Sequence, residues 1–146
     1  MVSGVGIDLV DLADFNRTLK RSGEGFVRRV YTDREIEYCR SQPHPPQSFA
    51  ARFAAKEATM KALGTAGDEG HSWRDFEIVI SRSGRPEIVL HGEAATRAKA
   101  LGVRVLHISL SHSRSSAGAV AVVESSQTNR SRMARRSSNL VQGTTK

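Results

Sequence analysis

The sequence predicts an α+β fold, a mostly antiparallel sheet with helices packed on it. Three observations point there. The elements read in the order strand, three helices, hairpin, helix, hairpin. Phe76–Ile80 and Ile88–Leu90 are short apolar runs joined by a turn-forming stretch, Ser81 to Pro86, so they pair locally and antiparallel. Residues 49–63 are built mainly from Ala, Lys, Arg, Glu, Met and Leu, which sustain helices well, and Gly64 stops them. Residues 1–124 form one domain on this reading, and 125–146 form a tail.

In chain order, Val2–Val10 is an apolar run that reads as a buried strand. Gly4 and Gly6 leave room on it for a neighbouring backbone or a ligand. They are not a dinucleotide fingerprint, because the third glycine is missing. From Asp11 to Arg21, Leu12, Phe15 and Leu19 recur at helical spacing, and Ser22–Gly25 ends that helix. Thr32 and Glu35 form a capping box that opens a second helix, through about Arg40. Pro43, Pro45 and Pro46 predict a stiff extended linker, with His44 exposed on it. On the central helix, Phe49, Phe53, Met60 and Leu63 share one side at about 100° per residue, and that stripe should face the core. A Gly-rich loop, Gly64 to Ser72, follows, with Trp73 packing where it returns. After the hairpin, Glu93–Leu101 is a helix closed by Gly102. Val103–Leu110 and Ala117–Glu124 are the last strands, around a turn rich in Ser, His and Arg.

Composition narrows the function classes. A hydrophobic content of 38% suits a soluble globular protein. No apolar run reaches the roughly 18 residues of a membrane span, and no signal-peptide pattern opens the chain. Cys39 is the single cysteine, so a disulfide framework is excluded and a cytoplasmic location is expected. It has no His nearby in sequence and reads as an incidental thiol rather than a nucleophile. The formal charge is +7, but five of the 22 basic residues lie in the tail, where no acidic residue stands. The remaining 17 against 15 acidic residues leave only +2. The tail, poor in apolar residues, reads as disordered. The domain itself lacks the charge, and the aromatic-studded basic sheet, of a nucleic-acid binder.

Three polar clusters interrupt the apolar plan. Asp8 stands near the end of a strand expected to be buried, where a carboxylate is costly unless paired or bound to metal. A turn or N-cap role is the alternative, and Asp11 could fill that role as well. Glu57 and Lys61, four residues apart, border the stripe of the central helix; they make either a rigid site or an ordinary surface ion pair. Ser111, His112 and Arg114 stand in the last turn as possible phosphate donors. Two carboxylates from different elements fit Mg²⁺, which takes one or two protein carboxylates and fills its octahedron with waters and phosphate oxygens. His107 alternates with Ile108 and Leu110 on a strand and could simply be a hydrogen-bonded core histidine.

Taken together these stretches resemble a known family. Gly4-Val-Gly-Ile-Asp8, Arg52-Phe-Ala-Ala-Lys56-Glu57 with Lys61 and Gly64-Thr65, Gly84-Arg85-Pro86, and His107-Ile-Ser-Leu-Ser111-His112 are similar, in order and spacing, to the AcpS-type 4′-phosphopantetheinyl transferases, the holo-[acyl-carrier-protein] synthases. The similarity spans about Val2 to Glu124. It implies transfer of the 4′-phosphopantetheine arm of coenzyme A to a serine of apo-acyl carrier protein. Asp8 and Glu57 would hold Mg²⁺, and Lys61 would stabilise the leaving phosphate. Arg52, Lys56, Gly64 and Thr65 would join the coenzyme A site. Ser111, His112 and Arg85, with Gly84 and Pro86, would face its 3′-phosphate region. The resemblance further implies a homotrimer with sites between subunits, so that Asp8, Glu57 and Lys61 meet Ser111, His112 and Arg85 of a neighbour. Arg17, Lys20, Arg21, Arg28 and Arg29 could dock an acidic carrier or simply be solvated. Asp14 stands where the family often has Arg, and Arg85 where it often has Lys. The same chemistry on a polyketide or peptide synthase carrier is the alternative within the family. A basic nucleic-acid-binding module without catalysis is the alternative outside it.

Overall fold

A computed structural model describes residues 1–68 and 70–126. The elements are β1 (Val2–Asp11), α1 (Leu12–Val30), α2 (Asp33–Ser41), α3 (Pro45–Leu63), a 3₁₀ turn (Trp73–Asp75), β2 (Phe76–Ile80), β3 (Pro86–Leu90), α4 (Gly92–Ala100), β4 (Val103–His112) and β5 (Ser116–Ser125). All strand pairs are antiparallel. They form a three-stranded sheet, β1-β5-β4, and a separate ribbon, β2-β3. The expected α+β class is met. Among the described residues no helix is long and apolar enough to cross a membrane.

The central helix departs from the expected one-sided stripe. Its Ala50, Ala54, Ala55, Ala58 and Ala62 are as buried as Phe49 and Leu63, while Phe53 is only partly covered. A helix apolar all round belongs in the interior. The first half of α3 packs with α1 and α2, and the second half packs on the sheet and α4. Small side chains allow this close embrace. A Cβ on Gly4 would stand 2.0 Å from the Ala62 carbonyl oxygen, and one on Gly6 1.9 Å from that of Ala58. The room these glycines leave is filled by the backbone of α3.

Four further expectations are corrected. α3 begins at Pro45, so Pro45 and Pro46 do not extend the linker; they occupy the first helical positions, where a missing N–H costs nothing. Helix α1 breaks at Gly23 (φ 52°) as its Gly-rich stretch predicts, but resumes through Val30 because Val27 and Val30 reach the core. β4 continues through His112, so Ser111 and His112 lie on a strand and not in a turn. Ser125 closes β5; its amide donates to the Met1 carbonyl, and its hydroxyl bonds that of Ser3. The last strand therefore runs one residue past its expected end at Glu124. Of the tail, residues 127–146 lie outside the described residues.

β1 is buried on one face only. Val5, Ile7 and Leu9, on the other face, are 63%, 71% and 75% exposed. They continue into Val122, Val120 and Gly118 of β5, then His107, Ser109 and Ser111 of β4. His107 is therefore no core residue; its Nε2 lies 2.7 Å from Glu124 Oε1 on this open face. Trp73 does anchor the loop return, stacked on Phe53 with ring centroids 4.9 Å apart.

Candidate active site

The two aspartates of β1 have separate tasks. Asp11 caps α1, its carboxylate accepting from the Asp14 amide at 2.9 Å. Asp8 is thereby free for another role. It shares the inner face of β1 with Gly4 and Gly6, so the close approach of β1 to α3 carries it to the helix. There the Lys61 ammonium donates to Asp8 Oδ1 at 3.1 Å and to the Ile7 carbonyl at 3.0 Å. Lys61 is about half exposed, and its third proton has no protein acceptor among the described residues.

Glu57 faces the same place from one turn earlier. Burial raises its pKa above the ordinary carboxylate value, the negative charge of Asp8 raises it further, and Lys61 opposes both. Two carboxylates across a shared opening could hold a cation between them. No cluster of three or more metal-ligating side chains exists among the described residues. That donor set suits Mg²⁺, which needs only one or two protein carboxylates when phosphate oxygens complete its shell. Asp8 and Glu57 line a groove of about 360 Å³ with Asp11, Phe15, Phe26 and Phe53.

A second polar groove, of about 260 Å³, lies at the start of α3 and the end of β4. Arg52, Ser48, Gln47, His44 and His112 line it. Arg52 is 4% exposed. Its Nη1 donates to Ser48 Oγ at 3.1 Å, and its guanidinium carbon stands 4.1 Å from the centre of the Tyr38 ring. Its buried Nε has no partner among the described residues. His44 is exposed, as expected, and borders the groove. Ser111 does not join it: adjacent strand residues point to opposite faces, and Ser111 is exposed on the open face, opposite Gly118.

Within one chain the two grooves occupy opposite edges of the sheet, Asp8 on β1 and His112 on β4, with β5 between them. Gly84-Arg85-Pro86 forms the tip and exit of the β2–β3 hairpin, with Gly84 at φ 80° and Arg85 in solvent. Gly64 ends α3 in the left-handed conformation, and the buried Thr65 hydroxyl donates to the Met60 carbonyl, so Thr65 acts as part of the helix terminus.

Lys56 is corrected as a ligand contact. It is fully buried and donates to Glu35 Oε2 at 2.8 Å, the Phe76 carbonyl at 2.6 Å and the Trp73 carbonyl at 3.1 Å. All three of its protons are used inside the protein. Burial pushes its pKa down, and Glu35 pushes back. Glu35, missed in the sequence because a capping-box glutamate is normally exposed, also accepts from the Ile78 amide and the Thr32 amide. Tyr38 was missed as well; only its place beside Arg52 distinguishes it. Cys39 is inert: burial raises its thiol pKa, and its sulfur accepts from the Ser48 hydroxyl.

On α1, Arg17 pairs with Asp14 and Arg28 with Glu24, which also binds Arg40. Lys20 and Arg21 are exposed without ion partners among the described residues, and Arg29 lies 6.0 Å from the centre of the Phe26 ring.

Residues 4–122 match the family model described as the 4′-phosphopantetheinyl transferase superfamily. A holo-[acyl-carrier-protein] synthase from Koribacter versatilis is 45% identical over 124 residues, covering 85% of this chain and 99% of that protein. One from Moorella thermoacetica is 46% identical over 121 residues, 83% of this chain and 93% of its own length. Among solved structures, the holo-[acyl-carrier-protein] synthase of Neisseria meningitidis superposes with a TM-score of 0.77 at 33% identity, covering 85% of this chain and 99% of that one. The Helicobacter pylori enzyme in complex with coenzyme A gives 0.72 at 32% identity, over 82% and 99% of the two chains.

Proposed function

The chain belongs to the 4′-phosphopantetheinyl transferase superfamily, and from that premise we propose that it is a holo-[acyl-carrier-protein] synthase. It moves the 4′-phosphopantetheine group of coenzyme A onto a serine hydroxyl of apo-acyl carrier protein and releases adenosine 3′,5′-bisphosphate. The observation that carries the assignment is that Asp8 and Glu57, far apart in sequence, line one groove, with the Lys61 ammonium bonded to Asp8 at 3.1 Å.

The serine oxygen attacks the pantetheine-side phosphorus, and the bond from that phosphorus to the bridging oxygen breaks. Such transfers depend on positioning and charge neutralisation. The free proton of Lys61 points its charge at the phosphate that departs, while Asp8 and the Ile7 carbonyl fix its ammonium in place. Glu57, lining the groove beside Asp8, accepts the serine proton. Asp8 and Glu57 would hold Mg²⁺, which when bound polarises the phosphoryl oxygens. Arg52 and His112 supply donors for the 3′-phosphate, with Arg85 as a further cation.

The open apolar face of Val5, Ile7 and Leu9 supports assembly with further copies, and a trimer is our reading of it. A neighbouring copy then brings its β4 edge, with Ser111 and His112, to the Asp8 groove. Lys20, Arg21 and Arg29 remain to greet an acidic carrier, and Asp14 removes Arg17 from that set by pairing with it. We place the reaction in the cytoplasm. Carriers of fatty-acid, polyketide and peptide synthesis are all candidate acceptors. Mass spectrometry of apo-carriers incubated with the protein, coenzyme A and Mg²⁺ tests this. The expected result is the gain of one phosphopantetheine on serine; no gain on any carrier rejects the assignment.

A further inference from the structure

Arg52 poses a physical problem that the transfer step leaves unsolved. An arginine that is 4% exposed calls for an anion, yet no carboxylate lies within ion-pair distance among the described residues. Among the described residues its buried Nε has no hydrogen-bond partner, and Nη1 alone has one. What holds the group is the ring of Tyr38, 4.1 Å below the guanidinium carbon. Tyr38 stands on α2, and α2 is locked to α3 by the buried Glu35–Lys56 pair three residues earlier. Ser48 completes the clamp: its hydroxyl accepts from Arg52 and donates to Cys39. The groove beyond opens onto His112 and His44, and Pro45 and Pro46, at the start of α3, carry no amide proton to offer an anion. Two of the backbone donors usual at a helix start are therefore missing here, which leaves a larger share to side chains.

We propose that Tyr38 is a positioning residue, whose ring face presents the Arg52 guanidinium to the phosphomonoester of the incoming nucleotide beside His112. This rests on the coenzyme A assignment above. The ring does not touch the anion. It lies flat against the cation, satisfying it electrostatically while the site is empty and fixing its plane when the phosphate arrives.

The test compares wild type, Tyr38→Leu and Tyr38→Phe by calorimetric titration with adenosine 3′,5′-bisphosphate and with adenosine 5′-monophosphate, and by transfer kinetics with coenzyme A and 3′-dephospho-coenzyme A. Tyr38→Leu should weaken the bisphosphate about threefold, within the range of a cation–π contact to an exposed ring. It should leave the monophosphate unchanged, raise KM for coenzyme A, hold kcat, and leave 3′-dephospho-coenzyme A unaffected. Tyr38→Phe, which keeps the ring face, should behave as wild type. Equal weakening of both nucleotides in Tyr38→Leu would reveal a packing role and overturn the proposal; so would unchanged bisphosphate binding. A wild-type protein that transfers from coenzyme A yet binds both nucleotides alike overturns the proposal and leaves the transferase assignment standing. Absence of any transfer rejects that assignment separately, and the nucleotide titrations still decide the role of Tyr38.

Discussion

Gly6→Ala should damage stability and catalysis together, because the contact that seats β1 on α3 also sets the distance from Asp8 to Lys61. The added Cβ would lie 1.9 Å from the Ala58 carbonyl oxygen and 2.8 Å from the Ala62 amide nitrogen. Both are backbone atoms of a buried helix and cannot rotate away. Carbon and oxygen normally meet at about 3.3 Å, so β1 must retreat by roughly 1.4 Å. The Asp8–Lys61 bond, now 3.1 Å, would pass out of hydrogen-bond range. Overpacking against backbone lies at the upper end of its usual cost, about 3 kcal/mol, and in a domain of this size that lowers Tm by roughly 10 °C. An ångström of misplacement costs about a hundredfold in rate. Thermal unfolding and initial transfer rates at saturating coenzyme A measure the two effects. Two controls locate the cause. In Gly118→Ala the new Cβ meets the flexible tip of Leu9 at 3.3 Å, and in Gly25→Ala it meets nothing within 4 Å. Both should keep their activity, and Gly25→Ala should be neutral or more stable by about 0.5 kcal/mol. A Gly6→Ala protein with wild-type Tm and rate would refute the coupling of strand seating to the site.

The other predictions concern single side chains. Glu57→Gln should cut transfer by at least about a hundredfold with Tm unchanged, as read by the mass gain of the carrier; substantial activity removes Glu57 as the base. Lys56→Met should strand the buried Glu35 charge and cost about 3–5 kcal/mol in a denaturant titration, whereas a surface lysine would cost almost nothing. Ile7→Lys, on the open sheet face, should leave the monomer folded but abolish assembly in sedimentation; an unchanged mass would show that this face is not the interface. Burial of Glu77 favours its neutral form, but hydrogen bonds with Thr32 and His91 and the charge of Arg34 outweigh it and hold the carboxyl below its ordinary value. Its stabilising share is therefore complete above the unfolded glutamate pKa of about 4.3 and is lost as pH falls through the lower folded value. Glu77→Gln should flatten that acid limb of the Tm–pH curve, and an unaltered limb would assign acid lability elsewhere.

Much of the architecture was legible in the residues because its signals are local. A capping box at Thr32 and Glu35, a turn at 81–86 and a glycine after Leu63 act over a few residues, and each appears where expected. The grouping of Asp8 with Glu57 and Lys61 was legible for a related reason: Glu57 and Lys61 are one helical turn apart, and Asp8 was the carboxylate out of place on an apolar strand. Lys56 and Glu57 were not separable by type. Which of two adjacent charged residues turns inward depends on whether Glu35, 21 residues earlier, waits inside with a matching charge.

The sequence by itself determined the order of the elements, the antiparallel pairing, and a set of carboxylate and lysine groups suited to a phosphate. Those follow from periodicity, turn chemistry and residue type, which need only near neighbours along the chain. Only the tertiary structure decided that α3 is buried on most of its sides, that all three protons of Lys56 are used inside the protein, that Arg52 rests on Tyr38 with no carboxylate partner among the described residues, and that one face of β1 stays open. Each of these depends on which distant backbone comes to lie alongside, and burial, charge pairing and exposure are properties of that neighbourhood.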